Sequence, residues 1–150
     1  MANITKIKAG KRAEYYILSM LLKENYDCYI PVSDDEGVDI VVRLNDKKFI
    51  SLQIKSTTKD IKMGDAALFA AIKHDKIRED YYFIFYSERM ETIWVMSSEE
   101  FIKKSTANKK GKNKGSRTIR FNITRKKEEK IKDEYKRFMC KDFSFLRDLP

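Results

Sequence analysis

The alternation of apolar and polar residues along the chain predicts a domain that mixes helices and strands. Apolar residues at positions 13, 16, 17, 20 and 21 repeat with helical spacing, which predicts an amphipathic helix over 11–24. Further helices are predicted over 65–73, 98–104 and 125–139, capped by Asp65, by Ser97 or Ser98, and by Thr124. Strands are predicted over 27–31, 38–44, 49–56, 81–87, 92–97 and 118–123. This order predicts an α/β fold, a mixed sheet with helices packed on it, in one domain spanning residues 1–150.

Polar residues interrupt two of the predicted strands, where a buried sheet normally excludes them. Asp39 lies within the second strand, and Gln53 and Lys55 lie within the third. Because side chains alternate between the two faces of a strand, Gln53 and Lys55 point in the same direction. The apolar residues between them take the other face, which is therefore the expected core face.

The length of the predicted hairpin loop decides where Asp39 points. A three-residue loop over 45–47 pairs Leu44 with Lys48, and the same register sets Asp39 opposite Gln53. A two-residue loop would put Asp39 on the wrong face. With the longer loop, the three polar groups cluster on one face of the hairpin.

Glu14 lies on the flank of the first predicted helix, about a quarter-turn from the centre of its apolar stripe. With Asp39 and Gln53 it would complete a pocket of two carboxylates and one amide, and Asp35 in the preceding acidic turn is a candidate for an extra contact. Mg²⁺ prefers such oxygen ligands and keeps several waters when bound to them, with Mn²⁺ as the alternative ion. A bound ion would activate a water and polarise a phosphoryl oxygen, while Lys55 would orient the water or offset charge in the transition state.

The order of these residues resembles that of a known nuclease superfamily. Glu14, then Gly37-Val38-Asp39, then Gln53-Ile54-Lys55 is similar to the PD-(D/E)xK superfamily, whose fold is restriction-endonuclease-like. Its near members are archaeal Holliday-junction resolvases and the cyanobacterial intron homing endonuclease of this fold. The resemblance covers residues 10–57 and implies metal-dependent hydrolysis of DNA. It departs from the commonest pattern at Gln53, where an acid is usual and a neutral ligand would bind metal more weakly.

Each of these residues also has a simpler reading. Asp39 can cap the bend that precedes it, Gln53 can hydrogen-bond within the sheet, and Lys55 and Glu14 can be ordinary solvated side chains. Their conjunction in this order favours the nuclease interpretation. His74, the single histidine of the chain, is expected beside a helix end rather than in catalysis.

Basic residues concentrate in the last third of the chain. The net charge is +9, and residues 103–137 hold 15 Lys and Arg against four acids, a surplus of +11 that leaves −2 elsewhere. Such asymmetry is typical of a surface that binds nucleic-acid phosphates, although a solvated charged face is the alternative. The predicted DNA contacts, in a mobile loop over 103–117 and just after it, are Lys109, Lys110, Lys112, Lys114, Arg117, Arg120 and Arg125.

The remaining sequence features bear on the cellular compartment and on the oligomeric state. No apolar run approaches the roughly 20 residues of a membrane span, and no signal segment opens the chain, so we expect a cytoplasmic protein without a membrane partner. Cys28 and Cys140 are expected to be free thiols. Because one active site cuts one strand, a homodimer or homotetramer is expected.

The functional hypothesis from the sequence is a magnesium-dependent DNA endonuclease for homing, junction resolution, restriction or repair. The alternatives are a catalytically inactive nucleic-acid-binding module on the same fold and a structural protein with a solvated polar hairpin.

Overall fold

The computed structural model describes residues 4–33, 36–62, 64–123 and 130–150. The helices of this part are α1 (Lys6–Lys23), α2 (Ser98–Lys104) and the 3₁₀ helices Asp133–Phe138 and Ser144–Asp148. The strands are β1 (Asp27–Tyr29), β2 (Ile40–Arg43), β3 (Phe49–Thr57), β4 (Leu68–Ile72), β5 (Tyr81–Ser87), β6 (Thr92–Ser97), β7 (Thr106–Ala107), β8 (Arg117–Arg120), β9 (Asn122–Ile123), β10 (Lys130–Ile131) and β11 (Met139–Cys140).

A mixed sheet forms the centre of the fold. Within the described residues it has six strands in the order β1-β2-β3-β5-β6-β11. β3 and β5 run parallel, while the other neighbouring pairs run antiparallel. A further sheet of the described part has the order β4-β8-β7. The predicted fold class, an α/β fold with a mixed sheet flanked by helices, is confirmed.

Helix α1 covers one face of the central sheet. Thr5 caps it, because the Thr5 side chain accepts a hydrogen bond from the Lys8 N–H at 3.3 Å. One face of the helix then packs on alternate residues of β3. The buried residues of this contact are Ala9, Ala13, Ile17 and Leu21 on α1 and Ile50, Leu52 and Ile54 on β3. Gln53 and Lys55 therefore project from the opposite face of β3, away from α1.

The opposite face of the sheet carries an aromatic core. In the parallel register, Gln53 pairs with Phe83 and Lys55 with Phe85. The Phe85 ring lies 4.9 Å from that of Phe69 on β4 and 5.2 Å from that of Phe121. Contacts of this kind bury large apolar surfaces and hold the β4-β8-β7 sheet against the central one. Gln53 and Lys55 thus lie on the face that β4 partly covers.

Three predicted elements match the structure at both ends. β5, β6 and α2 have the predicted bounds 81–87, 92–97 and 98–104. Ser97 caps α2, since its Oγ accepts the Glu100 N–H at 3.1 Å while Glu100 Oε1 accepts the Ser97 N–H at 3.0 Å. No helix in the described part of the chain combines the length and apolar character needed to cross a membrane. The two cysteines are unpaired thiols, as expected.

The helix predicted over 65–73 is wrong, because residues 68–72 form strand β4. This strand pairs with β8 through an irregular register between Phe69 and Ile72, and Ala71 has a φ of 56° there. Asp65 caps no helix and instead forms an ion pair with β8. The alanines favour a helix locally, but pairing with β8 and burial of Phe69 and Ile72 override that propensity.

The long helix predicted over 125–139 is also wrong in its described part. This region contains strand β10, a 3₁₀ helix over Asp133–Phe138 and the start of β11. The predicted cap Thr124 and residues up to 129 lie outside the described residues. Tyr135 and Phe138 are nevertheless buried, as the apolar pattern indicates, because the 3₁₀ turn also places residues three apart on one side.

Candidate active site

The β2–β3 hairpin has the register that places three candidate residues together. The Leu44 N–H donates to Lys48 O at 2.8 Å, which closes a three-residue loop. The register of β2 and β3 ends at the pair Ile40–Leu52, and the Asp39 N–H donates to Leu52 O at 2.8 Å. The predicted loop length is therefore confirmed, and the same register extended by one residue sets Asp39 opposite Gln53.

The Asp39 side chain is attached to the backbone of the neighbouring strand. Its Oδ2 accepts the Ile54 N–H at 2.7 Å. Ile54 is the residue between Gln53 and Lys55, so this bond holds the carboxylate beside both of them. Asp39 consequently has a structural role in the hairpin, whatever chemistry it also performs.

Gln53 and Lys55 open onto a common cavity of about 580 Å³, here called the polar cavity. Its other polar lining residues include Glu36, Arg78 and Tyr81. Arg78 is held in place because it donates to Glu36 O at 2.8 Å and its guanidinium carbon lies 4.2 Å from the centre of the Tyr81 ring. Lys55 forms no ion pair with any described residue, so its amine is available to a ligand in the cavity.

Tyr81 connects Gln53 to the turn before Asp39. Its hydroxyl oxygen lies 2.9 Å from Gln53 Oε1 and also hydrogen-bonds to Gly37 O. Burial raises the pKa of Tyr81 to about 12, an effect that outweighs the nearby positive charge of Arg78, so the hydroxyl keeps its proton. Gly37 has a φ of 67°, and a Cβ there would lie 3.3 Å from Gln53 Nε2. The glycine therefore allows the turn to approach Gln53 closely.

The hydrogen bonds of Tyr81 constrain the Gln53 amide. A phenol carries one proton and can donate to only one of the two carbonyl oxygens within reach. A half-turn of the terminal amide would let Gln53 Nε2 donate to Tyr81 while Tyr81 donates to Gly37, which satisfies all three groups. In either orientation Tyr81 fixes the Gln53 side chain, so hydrogen bonding within the sheet accounts for part of its role.

His74 forms part of the wall of the polar cavity. Its ring stacks on Tyr81 with centroids 5.2 Å apart, and its Nε2 lies 2.6 Å from Ser98 Oγ. Burial lowers the pKa of His74, and the positive charge of Arg78 lowers it further. The expectation that His74 ends a helix is wrong, because it follows strand β4 and instead contacts Ser98 at the start of α2. The expectation that it has a structural role agrees with its buried contacts.

Glu14 lies on α1, and its carboxylate pairs with Lys11 at 3.0 Å. Its side chain is 23% exposed, and neither Glu14 nor Asp39 is among the described residues that line the polar cavity. The structure brings Asp39, Gln53 and Lys55 together on the hairpin, and the place of Glu14 in this set stays a prediction. Among the described residues no three His, Cys, Asp or Glu side chains cluster as metal ligands. The predicted metal ligands, Glu14, Asp39 and Gln53, include only two carboxylates.

The predicted loop over 103–117 contains a hydrogen-bonded hairpin. Strand β7 and the start of β8 form its two arms, and between them the Asn108 N–H donates to Ser116 O at 2.8 Å. The Gly115 N–H donates a hydrogen bond to Asn108 O at 3.0 Å. The four lysines predicted to contact DNA are exposed around its tip, at Lys109, Lys110, Lys112 and Lys114.

The predicted arginine contacts are located differently. Arg117 donates to His74 O at 3.1 Å and to Ile102 O at 3.2 Å, which connects α2 to the strands. Arg120 forms an ion pair with Asp65 at 3.1 Å. Both guanidinium groups are therefore engaged inside the protein, and Arg125 lies outside the described residues.

Three residues of this region were missed from the sequence. Lys73 was hidden in the incorrectly predicted helix, and Arg78 lay in a polar connection without a pattern. Tyr81 could have been found, because it is two residues before Phe83 on β5 and therefore shares the face of Gln53 once the β3–β5 pairing is known. That pairing is a long-range contact that the local sequence does not specify.

Comparisons with known proteins include a likeness to a solved structure. No protein-family model and no curated protein matches the sequence. A solved structure of a bacterial homing endonuclease, I-Ssp6803I, is similar with a TM-score of 0.58 and 19% sequence identity, covering 85% of this chain and 84% of that chain. At this identity the likeness shows a shared fold.

Proposed function

We propose that this protein is a magnesium-dependent DNA endonuclease that hydrolyses phosphodiester bonds at the polar cavity. The observation that carries the proposal is the hairpin, which holds the Asp39 carboxylate beside Gln53 and Lys55, two residues that line an open cavity. The fold shared with a homing endonuclease supports it, since that protein is an enzyme that acts on DNA.

The donor atoms at this place suit a magnesium ion. Asp39 offers a carboxylate and Gln53 an amide oxygen, and Glu36 adds a carboxylate to the lining of the cavity. Mg²⁺ binds through one or two carboxylates and completes its shell with water and substrate oxygens. Asp39 and Gln53 would hold the ion, and Glu14→Gln tests whether Glu14 is the third ligand.

The roles of the side chains follow from their positions. The bound ion would supply Lewis acidity and an activated water. Lys55 extends a cation into the cavity, where it would bind a phosphoryl oxygen and stabilise the charge that develops on it. Tyr81 holds the Gln53 amide in place through a protonated hydroxyl, and the Ile54 N–H holds the Asp39 carboxylate.

One such site cuts one strand, so cleavage of both strands of a duplex would require a second copy of the chain. We therefore propose a homodimer or homotetramer, which light scattering of the purified protein tests. Homing, junction resolution, restriction and repair all use this chemistry and differ in the DNA that the loops select.

The test is incubation of the protein with supercoiled, linear and branched DNA, with Mg²⁺, with Mn²⁺ or with a chelator. We expect cleavage of at least one substrate in Mg²⁺ or Mn²⁺ and none in the chelator. Asp39→Asn should abolish the cleavage, since it removes the charge and little volume. DNA binding without cleavage in either metal would contradict the proposal and favour an inactive nucleic-acid-binding module.

A further inference from the structure

A second cavity joins the polar cavity to the tip of the β7–β8 hairpin. This cavity, of about 360 Å³, is lined by Lys112, Lys114 and Asp75 among others. The two cavities share Ala71, Lys73 and His74 as lining residues. Together they form one continuous depression, here called the basic groove, that runs from Lys55 past Lys73 to the hairpin lysines.

The basic groove carries an excess of positive charge. Its cations are Lys55, Lys73, Arg78, Lys112 and Lys114, and its acids are Glu36 and Asp75. Arg78 is partly neutralised because it pairs with Glu36 at 3.9 Å. Within the described part of the chain, Lys73, Lys112 and Lys114 form no ion pair, so their charges are available to an anionic ligand.

The far end of the basic groove is pre-organised. Ser116 Oγ donates to Asn113 O at 2.6 Å and accepts from Asn108 Nδ2 at 2.9 Å, which closes the hairpin. Gly111 and Gly115 adopt φ values of 80° and 88°, which the tight turns require. A hairpin fixed in this way presents its lysines at a lower entropic cost than a loose loop would.

Ala71 belongs to the wall that the two parts of the basic groove share. It is exposed, it lines both cavities, and it occupies the irregular turn of β4 with a positive φ. A longer side chain at this position would add its atoms to that shared wall. The neighbouring Ala70 is also exposed but lines neither cavity.

We propose that the basic groove binds the sugar–phosphate backbone of one nucleic-acid strand, with Lys73 bridging the polar cavity and the hairpin lysines. The path past Ala71 brings a phosphodiester to Lys55 while the next phosphates contact Lys73 and then Lys112 and Lys114. This inference rests on the proposed function for the cut at Lys55. The binding path itself can be tested without any cleavage.

The test measures the affinity for a duplex DNA of random sequence against salt concentration, in Ca²⁺ to suppress cleavage. Lys73→Ala should lower the slope of log affinity against log salt by about 0.9, the value of one duplex phosphate contact. Lys112→Ala with Lys114→Ala should lower it by up to about 1.8. The control is Lys23→Ala, which removes an exposed lysine from α1 on the opposite face of the sheet and should leave the slope unchanged.

Substitutions at Ala71 separate the path from the charge. Ala71→Glu should weaken binding at least as much as Lys73→Ala, because it places a carboxylate on the shared wall of the basic groove. Ala71→Lys tests bulk with the opposite charge, and Ala70→Glu makes the same charge change outside the basic groove. We expect both Ala70→Glu and Ala71→Lys to bind DNA more tightly than Ala71→Glu does. Far-UV circular dichroism and thermal unfolding check that each variant is folded.

The outcomes distinguish this inference from the proposed function. If Lys73→Ala and Ala71→Glu match their controls in affinity and slope, the basic groove is not the binding path, even if the protein cleaves DNA. If these variants lose binding but the wild type never cleaves, the path stands and the nuclease proposal fails. Repeating the titration with a single strand should give about 0.7 per lost contact instead of 0.9.

Discussion

Replacing Asp39 should separate its structural role from its proposed catalytic one. Asp39 Oδ2 accepts the Ile54 N–H at 2.7 Å, and that N–H belongs to a residue that is 8% exposed. Asp39→Ala removes the acceptor and leaves the donor without this partner, which costs about 1 to 3 kcal/mol when the donor is buried. Asp39→Asn keeps an acceptor oxygen at the same place and loses only the charge, which costs about 1 kcal/mol or less.

These two costs predict an order of stability and a separate order of activity. The free energy of unfolding should fall from wild type to Asp39→Asn to Asp39→Ala, with the alanine variant lower than the asparagine variant by about 1 to 2 kcal/mol. For a domain of this size that difference corresponds to roughly 2 to 8 °C in Tm. Cleavage should be lost equally in both variants, because neither retains the carboxylate.

Urea unfolding followed by tryptophan fluorescence measures the stability, since Trp94 is buried in the folded protein. Calorimetry supplies the Tm, and a plasmid-nicking assay at a temperature where all three proteins are folded supplies the activity. Equal stability of the asparagine and alanine variants would show that the Asp39–Ile54 bond does not hold the hairpin. Nicking by Asp39→Asn at the wild-type rate would remove Asp39 from the proposed chemistry.

Four further predictions follow from individual contacts. Gln53→Glu restores an acid beside Asp39, so half-maximal cleavage should need less Mg²⁺ in a metal titration, and a higher requirement would count against a ligand role. Tyr81→Phe removes the hydroxyl that fixes Gln53, so half-maximal cleavage should need more Mg²⁺, and the free energy of unfolding in urea should fall by about 0.5 to 1.5 kcal/mol. A loss of stability with an unchanged Mg²⁺ requirement would mean that Tyr81 has only a structural role. Burial depresses the pKa of His74 below its ordinary 6.5, so at low pH the unfolded chain takes up a proton that the folded chain does not. The free energy of unfolding should therefore decrease as pH falls below about 6.5, by at most about 1.4 kcal/mol per pH unit. The His74→Asn variant should lack this pH-dependent part of the decrease. Arg117→Met should destabilise the fold by about 1 to 3 kcal/mol without changing the salt dependence of DNA binding, since its guanidinium bonds to protein carbonyls; a lowered salt slope would instead assign it to DNA.

Local signals in the sequence were sufficient for the hairpin that carries the candidate site. The loop between Leu44 and Lys48 fixes the register, and the alternation of strand faces then places Asp39 beside Gln53 without further information. The same holds for α2, where Ser97 and Glu100 form a capping box within four residues. Each of these inferences depends on residues close together in the chain.

The errors occurred where distant segments decide the structure. Residues 68–72 have the alanine content of a helix, but β8, about 50 residues later, pairs with them and makes a strand. The lysine-rich hairpin was predicted only as a loop, since it has two glycines and no large apolar residue, and strand β7, with two residues, is too short to produce an alternating pattern. The path past Lys73 to the hairpin depends on both segments, so the sequence alone did not indicate it.

Glu14 shows a different limit. A helical pattern gives the angle of a side chain around its own axis but not the position of that helix on the sheet. Here α1 packs on the Ile54 face, and the described partner of the Glu14 carboxylate is Lys11. The quarter-turn offset of Glu14 from the apolar stripe therefore leaves its position relative to Asp39 and Gln53 a prediction, which the Glu14→Gln variant tests.

The most direct test of the proposed activity is the single-turnover rate of DNA cleavage in Mg²⁺, compared between the wild type and Lys55→Met at saturating protein. Methionine keeps an unbranched apolar side chain at this position of β3 and removes the amine. The proposed mechanism predicts cleavage by the wild type, none in a chelator, and a rate at least about 100-fold lower for Lys55→Met. In Ca²⁺ the variant should lose at most one phosphate contact, a change of about 0.9 in the salt slope, and saturating protein keeps the DNA bound in both cases. Equal rates for the two proteins, or cleavage that persists in the chelator, would contradict the assignment of a metal-dependent nuclease site to this cavity.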